Sequence, residues 1–510
     1  MKHSASTPVW RRPDWWIAAF TAARHGLGWW RMRRTLTQLN RPAPNIHPPQ
    51  RARVHVIVPV LWEQPQVEAM VDHYAALLRS GHVHTVTVVT SAREDTERTH
   101  LADRLASGPW PPTWHWAAHL TREEHDELDR HHTHRGSLPA TVVTEVLKRR
   151  PNTADTVTRV LSRANLRGLA LAHVHYAGPG RKAAQVNHAV ETMPTAERDF
   201  IALYDVDSRP GRTVLDATHT LIARHRTRHG APPQVLQQSA LFRTRGESTR
   251  GWERAVCRGA ARLQSLRTLR REIPALNTYR EALHSPVGIP WVDALRCGLA
   301  QTVGHGLWVR SDTYRRLGGL PTHTLLDDLP FGYRLTIERI PVEPVPSTLT
   351  AAAPETLPEL LAQGQRWFHN YLDYPLCALQ ASRAQNGTPL ARTTALAVGG
   401  YRGAAWLLRS PAVIACAALA VRPASPWPVR ITAAGALWLA IAAPARTLAS
   451  HEGRSLTPRA QARECTELAS GYLLSSVGPL IATARHLINP RRDTEGISPK
   501  SNTIRQKRSR

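Results

Sequence analysis

Two short β-branched runs, one on either side of a helix-periodic segment, constrain this chain most. Val54-His55-Val56-Ile57-Val58-Pro59 is a buried-strand pattern closed by proline. Val67, Met70, Val71, Tyr74, Leu77 and Leu78 then recur at helical spacing over 66–79 before a second strand, Val83 to Thr90. Strand, helix, strand at this spacing is a βαβ unit, which predicts an α/β domain on a largely parallel sheet. Leu169 to Tyr176 and Phe200 to Tyr204 extend the rhythm, with a helix expected over Lys182 to Glu191 between them.

The fourth strand carries the most informative residues. Phe200-Ile201-Ala202-Leu203-Tyr204 runs directly into Asp205-Val206-Asp207. Alternation puts both carboxylates on one side at the carboxyl end of a strand, where open α/β sheets bind ligands. Two carboxylates so placed suit a hard divalent cation, Mg²⁺ or Mn²⁺, which prefers oxygen ligands and bridges diphosphates. A second acidic pair, Asp327-Asp328, follows Leu325-Leu326 and reads either as the N-cap of a helix over 329–340 or as a general base. Gly304-His305-Gly306 and Gly318-Gly319 upstream mark turns or close backbone approach. Further on, Gln363-Gly364-Gln365-Arg366-Trp367 combines a guanidinium suited to phosphate with an indole suited to stacking. The chain has five lysines against 61 arginines, so Lys182, well inside it, stands out.

Charge and composition narrow the classes. Lys+Arg 66 against Asp+Glu 39 leaves +27 over 510 residues, a partner profile of nucleic acid or an anionic membrane. No zinc-finger spacing, RNP-like strand or basic zipper is present, so the membrane is expected and nucleic acid is not. Five cysteines, far apart and without a CxxC pair, exclude a disulfide scaffold and point to a reducing compartment. Trp15-Trp16 and Trp29-Trp30 among Arg11, Arg12, Arg31, Arg33 and Arg34 read as an interfacial anchor or as an amphipathic helix packed on the domain. Three apolar runs, Gly403 to Val421, Ile431 to Ala443 and Leu468 to Ala484, are short for spanning helices, yet in succession and beside Trp406, Trp427, Trp438 and Tyr472 they favour membrane insertion.

Five segments result. They are a helix and Pro-rich linker (1–52), a catalytic domain (53–350) with an insertion at about 97–165, and a segment holding Gln363 to Trp367 (351–400). Membrane-embedded helices (401–490) and a basic disordered tail (491–510) complete the chain. The insertion reads as solvated and polar; His115 and His119 share a face if it is helical, which is weak for a metal site.

Taken in order, these elements resemble the membrane-associated family 2 glycosyltransferases, similar to the cellulose, chitin and hyaluronan synthases and related bacterial transferases. The resemblance spans about 53–370. It rests on the first strand with Glu63 beyond it, the stretch Lys182-Ala183-Ala184-Gln185-Val186-Asn187, Asp205-Val206-Asp207, the glycine turns, Asp327-Asp328 and Gln363 to Trp367. It implies a GT-A (Rossmann-like) nucleotide-diphospho-sugar transferase domain with a C-terminal helical membrane-associated region, and an inverting reaction. By the same resemblance Asp205 and Asp207 would hold Mg²⁺ or Mn²⁺. Lys182, Asn187, Asp205, Glu63 and Arg366 would hold the nucleotide-sugar donor. Asp328, beside Asp327, would deprotonate the acceptor hydroxyl. Trp367 and Gln363 would shape the mouth for a lipid-linked or glycan acceptor, and the catalytic domain would sit on the cytoplasmic side of the cell membrane. The family's Asp-Asp-Gly-Ser-like turn is here Thr90 to Asp95, leaving Glu94 or Asp95 as its only acids. Two rival readings remain: a basic membrane- or nucleic-acid-binding protein with a degenerate GT-A domain, and a transferase of a nucleotidyl or other phosphate-linked group.

Overall fold

A computed structural model describes residues 8–40, 51–112, 120–178, 180–244 and 251–488. Most of the Pro-rich linker, His115, His119 and the basic tail lie outside the described residues. The centre is a mixed seven-stranded sheet in the order β3-β2-β1-β4-β6-β5-β7. Its strands are β1 Val54–Pro59, β2 Thr85–Ser91, β3 Leu171–Tyr176, β4 Phe200–Leu203, β5 Val235–Arg243, β6 Leu307–Arg310 and β7 Val342–Ala352. β1 pairs in parallel with β2 and with β4, while β6 runs antiparallel between β4 and β5. Every residue of β1 and of β4 is buried. That is why both read as nearly continuous apolar runs rather than alternating ones, broken only by His55, whose ring is satisfied by Asp199 and Thr85.

The four strands and two helices expected from the sequence up to residue 207 all form, the helices as Gln64–Arg79 and Lys182–Thr192. β5, β6 and β7 were not foreseen. β6 is four residues long, and β7 contains Pro344 and Pro346, which an edge strand tolerates and a central one does not. The chain leaves β1 towards β2 on one side and returns to β4 on the other. The carboxyl ends of β1 and β4 therefore flank a topological switch point, the place where open α/β sheets form a ligand crevice.

The insertion differs from its expectation. It folds into the helices Arg93–Ser107, Arg122–Arg135, Ala140–Lys148 and Thr153–Leu161, with a core of their own. Leu101, Leu105, Leu128, Val143 and Leu147 pack there around Trp62 from the β1 loop. A few well-spaced leucines and valines suffice to bury one face of each helix, although the overall composition is charged.

The C-terminal helices do not form a separate layer. Gly251–Arg267, inside the expected catalytic stretch, crosses Pro458–Leu474 at backbone contact: a Cβ on Gly259 would come 1.7 Å from the Glu467 carbonyl oxygen. The N-terminal helix Pro13–Leu39 packs on the same bundle, with Trp29 edge-on to Trp438 at 5.8 Å. Its Trp16, Phe20, Leu27 and Trp30 face outwards, as do Trp427, Ile431 and Trp438 of its neighbour.

Ile431 to Ala443 belongs to a 25-residue helix, Trp427–His451, the one described helix long and apolar enough to cross a membrane. Pro389–Leu407 and Arg409–Val421 qualify together but bend by 49° at Leu408. The third apolar run is divided between Pro458–Leu474 and Val477–Ile488.

Candidate active site

The end of β4 is held from both sides. The Tyr204 hydroxyl donates to Gln238 Oε1 at 2.7 Å and accepts from Trp308 Nε1 at 2.9 Å. The Tyr74 hydroxyl donates to the Ser208 carbonyl at 3.2 Å. Between these clamps, in the turn after the strand, Val206 is buried while Asp205 and Asp207 stay half-buried.

Lys182 comes to this point from the first turn of its helix. Its Nζ donates to Asp205 Oδ1 at 2.7 Å and to the Gly304 carbonyl at 3.2 Å. Burial works against the ammonium, but the carboxylates of Asp205 and Asp327 outweigh it and hold the Lys182 pKa above its ordinary value. Gly304 has to be small: a Cβ there would lie 3.1 Å from Lys182 Nζ and 3.7 Å from Asp328 Oδ2. Asp328 opens the helix Asp328–Ile337, and its carboxylate accepts from Gly304 N at 3.2 Å, from Leu329 N at 2.8 Å and from Asn370 Nδ2 at 3.0 Å. Asp327 takes the N-cap position of this helix without a side-chain capping bond, and Asp328 at its first turn reaches the lysine–aspartate cluster through Gly304. Asp327 is buried beside it; burial and the Asp328 charge raise its pKa, against the pull of Lys182.

Arg366 completes the group from the helix Leu357–Leu372. Burial lowers its pKa, opposed by the charges of Asp205, Glu63, Asp207 and Asp328, so one guanidinium lies in the field of all four carboxylates. Glu63 is buried in the β1 loop just after Trp62, which adopts φ 61°, a left-handed conformation uncommon for a bulky residue.

Three expected site residues sit elsewhere. The Asn187 amide is occupied by a turn: Nδ2 donates to the Leu320 carbonyl, and Oδ1 accepts from Leu320 N at 2.8 Å and from the Tyr314 hydroxyl at 2.6 Å. That turn needs Gly319, which has φ 77° and whose Cβ would sit 2.4 Å from Asn187 Oδ1. Gln363 and Trp367 line a small cavity among the helices, together with Trp406 and Arg409. The Trp367 ring also meets Phe242, which in turn meets His305, linking this cavity to the glycine turn. Glu94, an acid in the altered turn, is buried and bonded to Arg98, Gln64 and Thr153 N, which fixes the insertion to the β1 loop. Only Asp95 of the two remains exposed. Asn370 was missed from the sequence, although its place one helical turn beyond Arg366 was a usable signal.

A divalent cation fits the carboxylates present. Asp207 makes no hydrogen bond or ion pair to a described residue, and no group of three His, Cys, Asp or Glu able to hold a metal occurs among the described residues. Two carboxylates with the remaining positions open is the donor set that Mg²⁺ or Mn²⁺ uses when substrate phosphates and water complete its shell.

No family model matches this sequence, and no curated protein does. Several solved structures are similar to the chain. One is the mannosyltransferase PcManGT from Pyrobaculum calidifontis in complex with GDP-Man and Mn²⁺, with 17% identity over 93% of this chain and 99% of the other, at a TM-score of 0.44. Another is S. aureus TarS 1–349, with 10% identity over 83% of this chain and 90% of the other, at a TM-score of 0.34. Likeness at that level carries no argument about activity.

Proposed function

We propose that the protein is an inverting, metal-dependent glycosyltransferase of family 2 type, moving a sugar from a nucleotide-sugar donor to a membrane-proximal acceptor. One observation carries the reading: Lys182 bridges Asp205 at the end of β4 to the Gly304 carbonyl, while the amide of the same glycine is held by Asp328. Metal ligand, phosphate-seeking cation and general base are thereby joined through one residue at the switch point of the sheet.

Each group has a task that follows from its charge. Asp205 and Asp207 would hold Mg²⁺ or Mn²⁺, which supplies compensation for a diphosphate. Lys182 and Arg366 add fixed positive charge where the leaving diphosphate develops its own. Asp328, turned towards the cluster and steadied by Asn370, takes the proton of the acceptor hydroxyl as that oxygen attacks the anomeric carbon. A single displacement of this kind inverts the configuration. Glu63 would act on the donor side through Arg366, and Asn187 by shaping the turn at Gly319 rather than by touching the donor.

The membrane part of the reading is supported by surface chemistry. Exposed Trp16, Phe20 and Trp30 lie on a helix whose Arg33 and Arg34 stand over Trp29 and Trp30, an arrangement suited to anionic headgroups. We place the protein at the cell membrane with its catalytic domain on the cytoplasmic side.

The test is thermal unfolding of the purified chain with nucleoside diphosphates and nucleotide sugars, with and without Mn²⁺, followed by analysis of released nucleotide. A metal-dependent rise with one base and release of free nucleoside diphosphate are expected. A well-folded protein that responds to none of them would overturn the assignment, and release of nucleoside monophosphate would point to transfer of a phosphate-linked group instead.

A further inference from the structure

Positive charge is also concentrated on the helical-bundle side of the carboxylate cluster, where Arg267 still feels the Asp328 charge. Arg267, Arg270 and Arg271, around the end of Gly251–Arg267, meet Arg402 and Arg409 of the bent helix pair and Arg24 of the N-terminal helix. Arg267 and Arg409 both stand over the Trp406 ring, at 4.7 and 5.9 Å from its centroid. Among the described residues the only carboxylate paired with this group is Glu272, 3.4 Å from Arg267 Nε. The remaining partners are neutral: the Tyr371 hydroxyl for Arg267, the Tyr472 hydroxyl and Leu439 carbonyl for Arg270, Gln301 and the Leu299 carbonyl for Arg402, and the Ala405 carbonyl for Arg24. Arg271 Nη2 and Arg270 Nε are buried with no hydrogen-bond partner.

The surroundings register the excess. Burial, then the charges of Arg402, Arg267 and Arg409, pull the Arg271 pKa down to about 9 despite the Tyr371 hydroxyl beside it. Burial, then Arg270, Arg24 and Arg409, push His25 down to about 3. Like charges gathered out of water repel one another and raise the energy of the fold unless an anion joins them. Trp406 and Arg409 also line the small cavity already described, with Gln264, Gln363, Trp367 and Ser475. Its volume is about 70 Å³. A cavity of ~150 Å³ takes up benzene, so this one is too small for a sugar ring; its wall is largely apolar, through Leu263, Leu360, Leu361 and Leu474, with Arg409 its one charged residue.

We propose that this cavity is a second anion site, distinct from the donor's, which receives a phosphate group through Arg409 and the guanidinium groups behind Trp406. The phosphate can come from a lipid headgroup or from a soluble phosphate. Assigning it to the acceptor rests on the glycosyltransferase reading; the anion site itself does not. Gln363 and Trp367, on the helix that carries Arg366 and Asn370, place the site beside the reaction centre.

The test uses the full chain in neutral detergent with EDTA present, so that a metal-dependent donor site stays silent. Thermal unfolding is followed with inorganic phosphate, with dodecyl phosphate in mixed micelles and with dodecanol as the control. A rise with either phosphate and not with dodecanol is expected, and Arg409→Gln should weaken it at least tenfold in concentration. Equal response to both phosphates indicates a soluble ligand, and a much stronger response to dodecyl phosphate a lipid. Without ligand, Arg409→Gln should melt no lower than wild type, because it relieves crowding; a purely structural arginine would lower it. Arg271→Gln provides the same reading should Arg409→Gln fail to fold. No rise with either phosphate, or a rise that both variants retain, overturns the proposal. Mn²⁺-dependent nucleotide binding, measured on EDTA-free aliquots of the same preparation, reports on the donor site independently, so either reading can fail alone.

Discussion

Lys182 Nζ lies 2.7 Å from Asp205 Oδ1, and the two residues reach that distance from different elements, a helix start and a strand end. The pair ties the second metal-binding candidate of the sheet to the helix after β3. It also has a consequence for substitution: removing the ammonium leaves Asp205 beside Asp207 with its closest positive neighbour gone, and like charges that close oppose joint ionisation. Lys182→Met should therefore lower turnover by roughly 10²–10³-fold, as loss of one charge-stabilising donor does elsewhere. Steady-state assays with saturating donor would check this, and near-wild-type activity would remove Lys182 from the site.

Asp207→Asn should abolish the Mn²⁺-dependent part of nucleotide binding while the chain still folds, since Asp207 is half-buried and bonded to no described residue. Thermal shift with and without Mn²⁺, alongside circular dichroism, separates the two effects. Full metal dependence in the variant would move the metal elsewhere.

Asp328→Asn and Asn370→Ala form a pair. The first should keep donor affinity and lose transfer by about 10²–10⁴-fold, the usual contribution of a general base. The second removes only the amide that donates to Asp328 Oδ1, so its loss of transfer should be smaller, read as a drop in kcat with donor affinity unchanged. A drop in donor affinity for Asp328→Asn would make it a donor ligand instead.

His219 gives the fold an acid-sensitive point. Its Nε2 donates to the His82 carbonyl at 3.0 Å, its Nδ1 is buried without a partner, and burial pushes its pKa down to about 4. The unfolded chain takes up a proton near pH 6.5 that the folded chain refuses, so this contribution is complete above pH 6.5 and is lost as pH falls towards 4. The difference amounts to about 3 kcal/mol at most. Chemical denaturation from pH 7 to 4.5 should show a shallower loss for His219→Gln than for wild type; parallel curves would refute the assignment.

Gly259→Ala should destabilise by about 1–3 kcal/mol or more, because the added Cβ meets the Glu467 backbone and forces two packed helices apart. Gly400→Ala, where nothing lies within 4 Å, should instead stabilise by up to ~1 kcal/mol through helix propensity. Melting temperatures of the two variants test the crossing directly.

The sequence by itself determined the first four strands and the helices between them, because β1 and β4 are buried on both faces and near-continuous apolar runs mark such strands. The expectation that strand alternation sets Asp205 and Asp207 on one side did not carry over, because β4 ends at Leu203 and both carboxylates lie in the turn that follows. The sequence did not show β6 and β7, whose short or proline-containing segments become strands only when neighbours supply hydrogen bonds, nor β5, whose buried Gln237, Gln238 and Ser239 interrupt its apolar run. Nor did it separate the residues of one motif: Arg366 and Asn370 face the carboxylates, whereas Gln363 and Trp367 line the small cavity that Arg409 also lines, a division set by how one helix is rotated between sheet and bundle. Asn187 shows the same limit, since an amide suited to a ligand is equally suited to a backbone turn 133 residues away. Local pattern specifies which groups are available; which of them meet depends on packing between segments distant in the chain, and only the tertiary structure decides that.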